Sequence, residues 1–223
     1  MLRMHFEERK VKGKPLGRHV SHDPRSLKHP AKMATDIVDV EHKRLVPPFN
    51  QGNVGSCTGN ACAGCLSTEP FGNKLTEADA VKLYSAATRL DRIRGVYPPT
   101  DTGSSGLAVM KAAKQAGYIK GYSHAFGIEH VLKALALSPC IVGIAWLTGC
   151  DTPDENGLVS YSGDMRGGHE IECFKVDTKA QLVGFWNSWG PNWGKGGQFF
   201  MTWNDFDQAL KNRGDATFPQ AST

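Results

Sequence analysis

No stretch of this sequence is apolar for long enough to cross a bilayer: the longest, Cys140 to Leu147, falls far short of the roughly 18 residues a span requires. The opening residues, MLRMHFEERKVKGK, have neither an apolar centre nor a small-residue cleavage site, so they do not read as a secretory leader. The chain is therefore expected in the cytoplasm, with no membrane partner. Internal repeats and low-complexity segments are missing, which excludes solenoids and arrays. Cys62 and Cys65 form a CxxC, but no second CxxC or HxxxH accompanies them, and zinc needs about four ligands. The pair is expected to be small apolar filler in a helix, with no metal site. Six cysteines, at 57, 62, 65, 140, 150 and 173, show no dense regular spacing, so a disulfide framework is not expected either.

What is present suits a globular protein. The chain has 223 residues, of which 40% are hydrophobic and 22% charged, enough for one large domain or two small lobes. Charge is uneven. Residues 1–32 carry nine Lys or Arg against Glu7, Glu8 and Asp23, a net of +6 in a chain whose total is +4, which leaves −2 for the remainder. The main body is thus not a nucleic-acid-binding domain, and the basic arm reads as a solvated extension or a contact for an acidic partner.

Residues 1–44 show no sustained period and are expected to lie irregularly across the surface. LVPPFNQGNVGSCTGNACAG then passes from a proline pair through a glycine-rich loop into small residues, predicting a closely packed helix that starts near Cys57. Thr76 to Arg92 reads as a helix with a capping box, Thr76 with Asp79. Ser105 to Ala116, stopped by Gly117, reads as a second helix, and Ile128 to Ala136 as a third. After Pro139 the pattern changes to CIVGIAWL, GLVSYS, GHEIECFKV, QLVGFWNS and GQFFMTW, five strands without intervening helices, which predict an antiparallel sheet or barrel. The expected organisation is a basic extension over 1–44, a helical lobe over 45–125 and a β lobe over 126–223, with the site in the cleft between the lobes.

Cys57 closes the glycine-rich loop and opens a helix, where unpaired N–H groups and the helix dipole favour an anion, so its thiol is expected to ionise easily. A thiolate nucleophile needs a base and a group to orient that base. Five of eight histidines lie in the arm; of His124, His130 and His169, only His169 opens a predicted strand. Asn187 ends the next strand, within hydrogen-bond reach across an antiparallel pair. Each residue alone has an ordinary structural explanation: Gln51 as a loop glutamine, Ser104 as a helix cap, Trp189 as a core aromatic, His169 as a satisfied core histidine.

The segment Gln51-Gly-Asn-Val-Gly-Ser-Cys57 resembles the QGxxGSC loop of papain-like cysteine peptidases, and Asn187-Ser-Trp-Gly-Pro-Asn-Trp-Gly194 is similar to their NSWGxxWG motif. The resemblance spans about residues 45 to 203. It implies an α+β fold, a helical lobe packed against an antiparallel β-barrel-like lobe, and hydrolysis of peptide bonds in a polypeptide substrate through a thioester, with no cofactor. It implies that Cys57 is the nucleophile, His169 the base and acid, Asn187 the orienting amide and Gln51 the oxyanion-hole side chain. Trp189 then covers the His–Asn hydrogen bond, and Gly103 and Ser104 bind substrate backbone as an added strand. Two alternatives accompany this reading: a cell-wall amidase or peptidoglycan peptidase of the same fold, and a peptide-binding homologue without catalysis.

The chain also departs from the pattern. Thr58 stands where an aromatic is usual, and Val54 where a disulfide-forming cysteine is frequent. His169 and Asn187 follow Cys57 by 112 and 130 residues, whereas about 130 to 150 is typical. Glu170 replaces a small apolar residue of the pocket for the second side chain before the scissile bond. It is expected either to favour Lys or Arg there or to pair with a basic residue inside the protein; Glu172 is expected to be a buried structural acid. A basic arm on a compact peptidase suits a bacterial or phage-encoded protein.

Overall fold

A short segment in the arm sets the frame for the rest. In the computed structural model, which describes residues 2–221, β1 (Leu2–Met4) pairs antiparallel with β2 (Val20–His22), so the arm folds back on itself. Much of the arm is irregular and at least partly exposed, as its composition suggests, but one stretch turns inward: Leu16 is fully buried and Arg18 is 1% exposed. The arm's few inward positions, Leu16, Arg18, Val20 and Ala31, include an arginine and are too sparse for an apolar periodicity to register. Further on, β3 (Val40–Glu41) adds to the main sheet.

The glycine-rich loop ends in α1 (Cys57–Leu66), a helix buried at every residue, as its small side chains permit. Next, α2 (Glu77–Thr88) begins with the expected capping box: Thr76 Oγ1 accepts from the Asp79 N–H and the Asp79 carboxylate accepts from the Thr76 N–H. It stops four residues earlier than its apolar spacing suggests. For α3 (Gly106–Gln115) the cap is Ser105, whose hydroxyl accepts from the Ala108 N–H, rather than Ser104. These three helices share one apolar core around Leu66, Leu83 and Met110.

The second core lies on the sheet. Its strands are β4 (Ile119–Ala125), then, after α4 (Ile128–Leu135), β5 (Cys140–Leu147), β6 (Met165–Asp177), β7 (Leu182–Trp186), β8 (Gln198–Thr202) and, after α5 (Trp203–Lys211), β9 (Asp215–Ala221). The order is β4-β9-β5-β6-β7-β8, with every pairing antiparallel and β3 attached to β6. The sheet stays open. Trp146, Phe185, Phe199 and Phe206 fill the core between it, α4 and α5. Four of the five predicted strands form. GLVSYS does not; it keeps only a bridge between Leu158 and Phe200. Three elements carried weak signals: β4 is largely polar, β9 contains Pro219, and α5 follows directly on β8. Helix α1 packs against β6, bringing the residue at its start next to the middle of that strand.

Candidate active site

His169 sits within β6 and Asn187 one residue beyond β7, so the antiparallel pairing of these strands sets their separation. His169 Nε2 lies 2.7 Å from Asn187 Oδ1, which requires that nitrogen to carry the proton and donate. The other ring nitrogen, Nδ1, is buried and has no hydrogen-bond partner among the described residues. Trp189 stacks on the imidazole at 5.1 Å with 23° between planes, and Trp146 meets its edge at 4.8 Å. Both indoles shield the His169–Asn187 bond from water.

Cys57, the first residue of α1, faces the backbone of β6 one residue along from His169, where the Glu170 N–H hydrogen bond favours the thiolate. Burial outweighs this and pushes the thiol well above its ordinary value, and the charges of Glu170 and Glu8 add to the rise. The easy ionisation expected of a helix-opening thiol is thus reversed by its burial. Burial also lowers His169 to about 4, with Arg166 adding to the fall and Asn187 opposing it. In this closed state the pair is neutral thiol and neutral imidazole.

Gln51 is joined to the triad strand by Ser188. The Ser188 hydroxyl donates to Gln51 Oε1 at 2.6 Å, while the Ser188 N–H donates to Asn187 Oδ1 at 2.7 Å. Gln51 Nε2 donates to the Val54 carbonyl at 2.8 Å and faces the carbonyl of Leu16 at 3.4 Å. Leu16 belongs to the arm, and its neighbours continue along the same groove. The Trp189 indole N–H donates to the Pro15 carbonyl at 2.9 Å. The N–H groups of Gly17 and Arg18 donate to the Gly168 carbonyl, the Ser104 N–H to Gly17, and the His19 N–H to Ser104. A methyl built on Gly17 would lie 2.1 Å from the Gly55 carbonyl oxygen, so only glycine passes this close to the loop ahead of Cys57.

The predicted residues therefore do come together, with the arm added among them. Ser104 pairs with arm backbone, and Gly103 is held by a bond from its N–H to Tyr84 Oη at 2.9 Å. Tyr84 donates in turn to Asp101 at 2.5 Å, and Asp101 accepts from the Gly55 N–H at 2.8 Å, tying both sides of the groove to α2. Glu170 is fully buried and meets Arg18, while Glu172 pairs with Arg44 at 2.6 Å. Sequence reasoning did not single out Ser188, Tyr84, Asp101, Arg18 or Asp215. Ser188 lay inside a quoted motif; the others had no local signal. No group of three or more His, Cys, Asp or Glu among the described residues is arranged to hold a metal ion, and no described helix is long and apolar enough to cross a membrane.

A scan against protein-family models finds no match. Solved structures that resemble this one include several cysteine proteases. Xylellain from Xylella fastidiosa superimposes with a TM-score of 0.76 at 16% identity, over 96% of this chain and 99% of that one. CMS1MS2 from Carica candamarcensis, in complex with E-64, gives 0.57 at 17% identity, over 79% and 93%. The fold is papain-like. Among curated sequences, cathepsin B-like CP2 of Giardia intestinalis is 30% identical over 149 residues, 64% of this chain and 46% of that protein. The chain thus spans about half the length of the curated relative it matches.

Proposed function

We propose that this protein is a cysteine endopeptidase held latent by its own N-terminal segment, working in a cleft between a lobe of residues 45–125 and one of 126–223. The observation that carries the reading is the buried His169–Asn187 bond lying beside Cys57 and Gln51 on the groove that residues 15–19 fill. With the segment displaced, water returns to the thiol and imidazole, and the proton passes from Cys57 to His169. The thiolate attacks a peptide carbonyl. Gln51 Nε2 and the Cys57 N–H stabilise the oxygen as it gains charge, in the space the Leu16 carbonyl borders here. His169 gives its proton to the leaving amine, a thioester remains on Cys57, and water activated by His169 releases the acid. The chemistry needs no metal or organic cofactor, and the substrate is a polypeptide. Six unpaired thiols suit a reducing compartment, the cytoplasm. No observation favours a cell-wall substrate or a silent binding role.

The test is hydrolysis of a fluorogenic peptide by the full chain in reducing buffer, before and after the segment is loosened by mild acid. Activity that appears on loosening, and is lost on alkylation of Cys57 or in Cys57→Ala, is expected. Equal hydrolysis by Cys57→Ala overturns the reading.

A further inference from the structure

Where the arm crosses the groove, its backbone is gripped from two directions. A methyl on Gly17 would meet the Gly55 carbonyl oxygen at 2.1 Å, and a methyl on Gly103 would meet the Gly17 carbonyl oxygen at 2.3 Å. Gly17 therefore lies tight against both walls, the loop ahead of Cys57 and the strand edge at Gly103 and Ser104. Nothing covalent sets the distance between those walls, since all six thiols are unpaired.

A chain of hydrogen bonds from α2 sets it instead. Tyr84, fully buried, donates through Oη to Asp101 Oδ1 at 2.5 Å and accepts from the Gly103 N–H at 2.9 Å, while Asp101 Oδ2 accepts from the Gly55 N–H at 2.8 Å. Two side chains thus link one wall to the other. Tyr84 can stand there because Gly59 on α1 lets α2 come close: a methyl on Gly59 would lie 2.1 Å from the Ala80 carbonyl oxygen and 2.8 Å from Tyr84 Cβ. Burial and the bond to Asp101 push the Tyr84 phenol well above its ordinary value, so it stays a donor. A second acid steadies the strand edge, since Asp91 accepts from the Ser104 hydroxyl at 2.7 Å. With the Gly103 N–H taken up by Tyr84, the N–H and carbonyl of Ser104 serve the occupant of the groove, here Gly17 and His19.

We infer that Tyr84 and Asp101 are positioning residues that gauge the groove, fixing the distance between the loop that leads to Cys57 and the edge at Ser104 along which an extended backbone bonds. They act through Gly55 and Gly103. The inference rests on the peptidase reading for the substrate that takes the arm's place, whereas the arm itself reports on the gauge whether or not that reading holds. At the gauged distance one backbone meets Ser104 and the loop before Cys57 together. A slack groove must first be ordered around its occupant, and that cost falls on binding. Gln51 is oriented separately by Ser188, and Cys57 by α1, so the chemical step loses less than binding does.

The test uses the full chain carrying Tyr84→Phe, Asp101→Asn or both. Phenylalanine keeps the ring, and asparagine keeps an oxygen for the Gly55 N–H; Asp101→Asn, at an exposed position, carries the test alone if Tyr84→Phe does not fold. In the closed chain, alkylation of Cys57 by iodoacetamide, read by mass spectrometry, is expected to run about tenfold faster in Tyr84→Phe, because the arm is gripped less. After the segment is loosened by mild acid, KM for a blocked tripeptide amide that reaches Ser104 is expected to rise about tenfold, with kcat changed by no more than about twofold. An ester of a single amino acid, which stops short of Ser104, is expected to lose much less. Asp101→Asn is expected to act in the same direction but more weakly, and the double variant no more strongly than Tyr84→Phe, because both changes break one chain of bonds. An unchanged alkylation rate, a loss in kcat rather than KM, equal losses on the two substrates, additive losses in the double variant, or a lowered urea midpoint as the only change overturns the proposal. If the opened native chain hydrolyses neither substrate, the peptidase reading fails, and the alkylation rates alone decide whether the gauge stands.

Discussion

Ser188 reaches two side chains at once, donating through its hydroxyl to Gln51 and through its N–H to Asn187. It makes no contact with a substrate in this reading; it fixes where two other groups point. Ser188→Ala is therefore expected to lower kcat by roughly ten- to a hundredfold while KM and the unfolding midpoint change little, because misplacement by a fraction of an ångström suffices. Gln51→Ala removes the donor itself and is expected to cost about a hundred- to a thousandfold in kcat. Steady-state kinetics on both variants check this. Elsewhere, Glu172 and Arg44 are both almost wholly buried and paired at 2.6 Å. Glu172→Leu strands the guanidinium and is expected to destabilise the chain by about 3–5 kcal/mol in urea unfolding, while adding Arg44→Met recovers most of it. At this scale the sequence was legible where chemistry sits in a contiguous motif, as for Cys57, Gln51 and Asn187. Arg18 and Asp215 are 197 positions apart, and nothing near either one announces the other.

Elements were legible in proportion to their local signals. The Thr76–Asp79 capping box marked the start of α2 to the residue, and Thr76→Ala is expected to cost about 1 kcal/mol in thermal unfolding. CIVGIAWL, buried at seven of its eight positions, could be read from composition alone as β5. The arm could not, because polar groups hold it. Arg166 shows how: its guanidinium donates to the carbonyls of Arg9 and Lys14 and pairs with Asp151 at 2.6 Å. Arg166→Gln is expected to loosen residues 9–14, so that limited trypsin digestion cuts after Lys10 or Lys12 several times faster than in the native chain, ahead of any cut in the helices. Equal rates would show that the arm is held by its strand pairing alone.

At the scale of the whole molecule the arm lies along the groove beside Gly168, Ser104 and Gln51, and in the proposed reading this clasp is sensitive to pH. Covered His169 titrates at about 4 rather than near the ordinary 6.5. Between those values an uncovered imidazole binds a proton that the covered one does not, so the closed state loses ground as pH falls from 6.5 to 4 and regains it fully above 6.5. Asp215 extends the trend. Burial works against its ionisation, yet Arg18 and His22 hold it down at about 2, so its pairing survives until pH falls below the ordinary carboxyl range. The protection of the amides of residues 16–19 against hydrogen exchange, taken relative to the intrinsic rate at each pH, is expected to fall across pH 6.5 to 4 and to respond far less in His169→Ala.

All six cysteines are unpaired and buried, and Cys57 is the one that opens α1 beside the loop that Gly17 of the arm approaches. The others, Cys62 and Cys65 in α1, Cys140 in β5, Cys173 in β6 and Cys150 in the turn after β5, are packed in the two cores away from that loop. A colorimetric thiol titrant added to the native protein therefore works as a tally of vacancy: near zero equivalents with the clasp shut, one with it open, six only once the chain has melted.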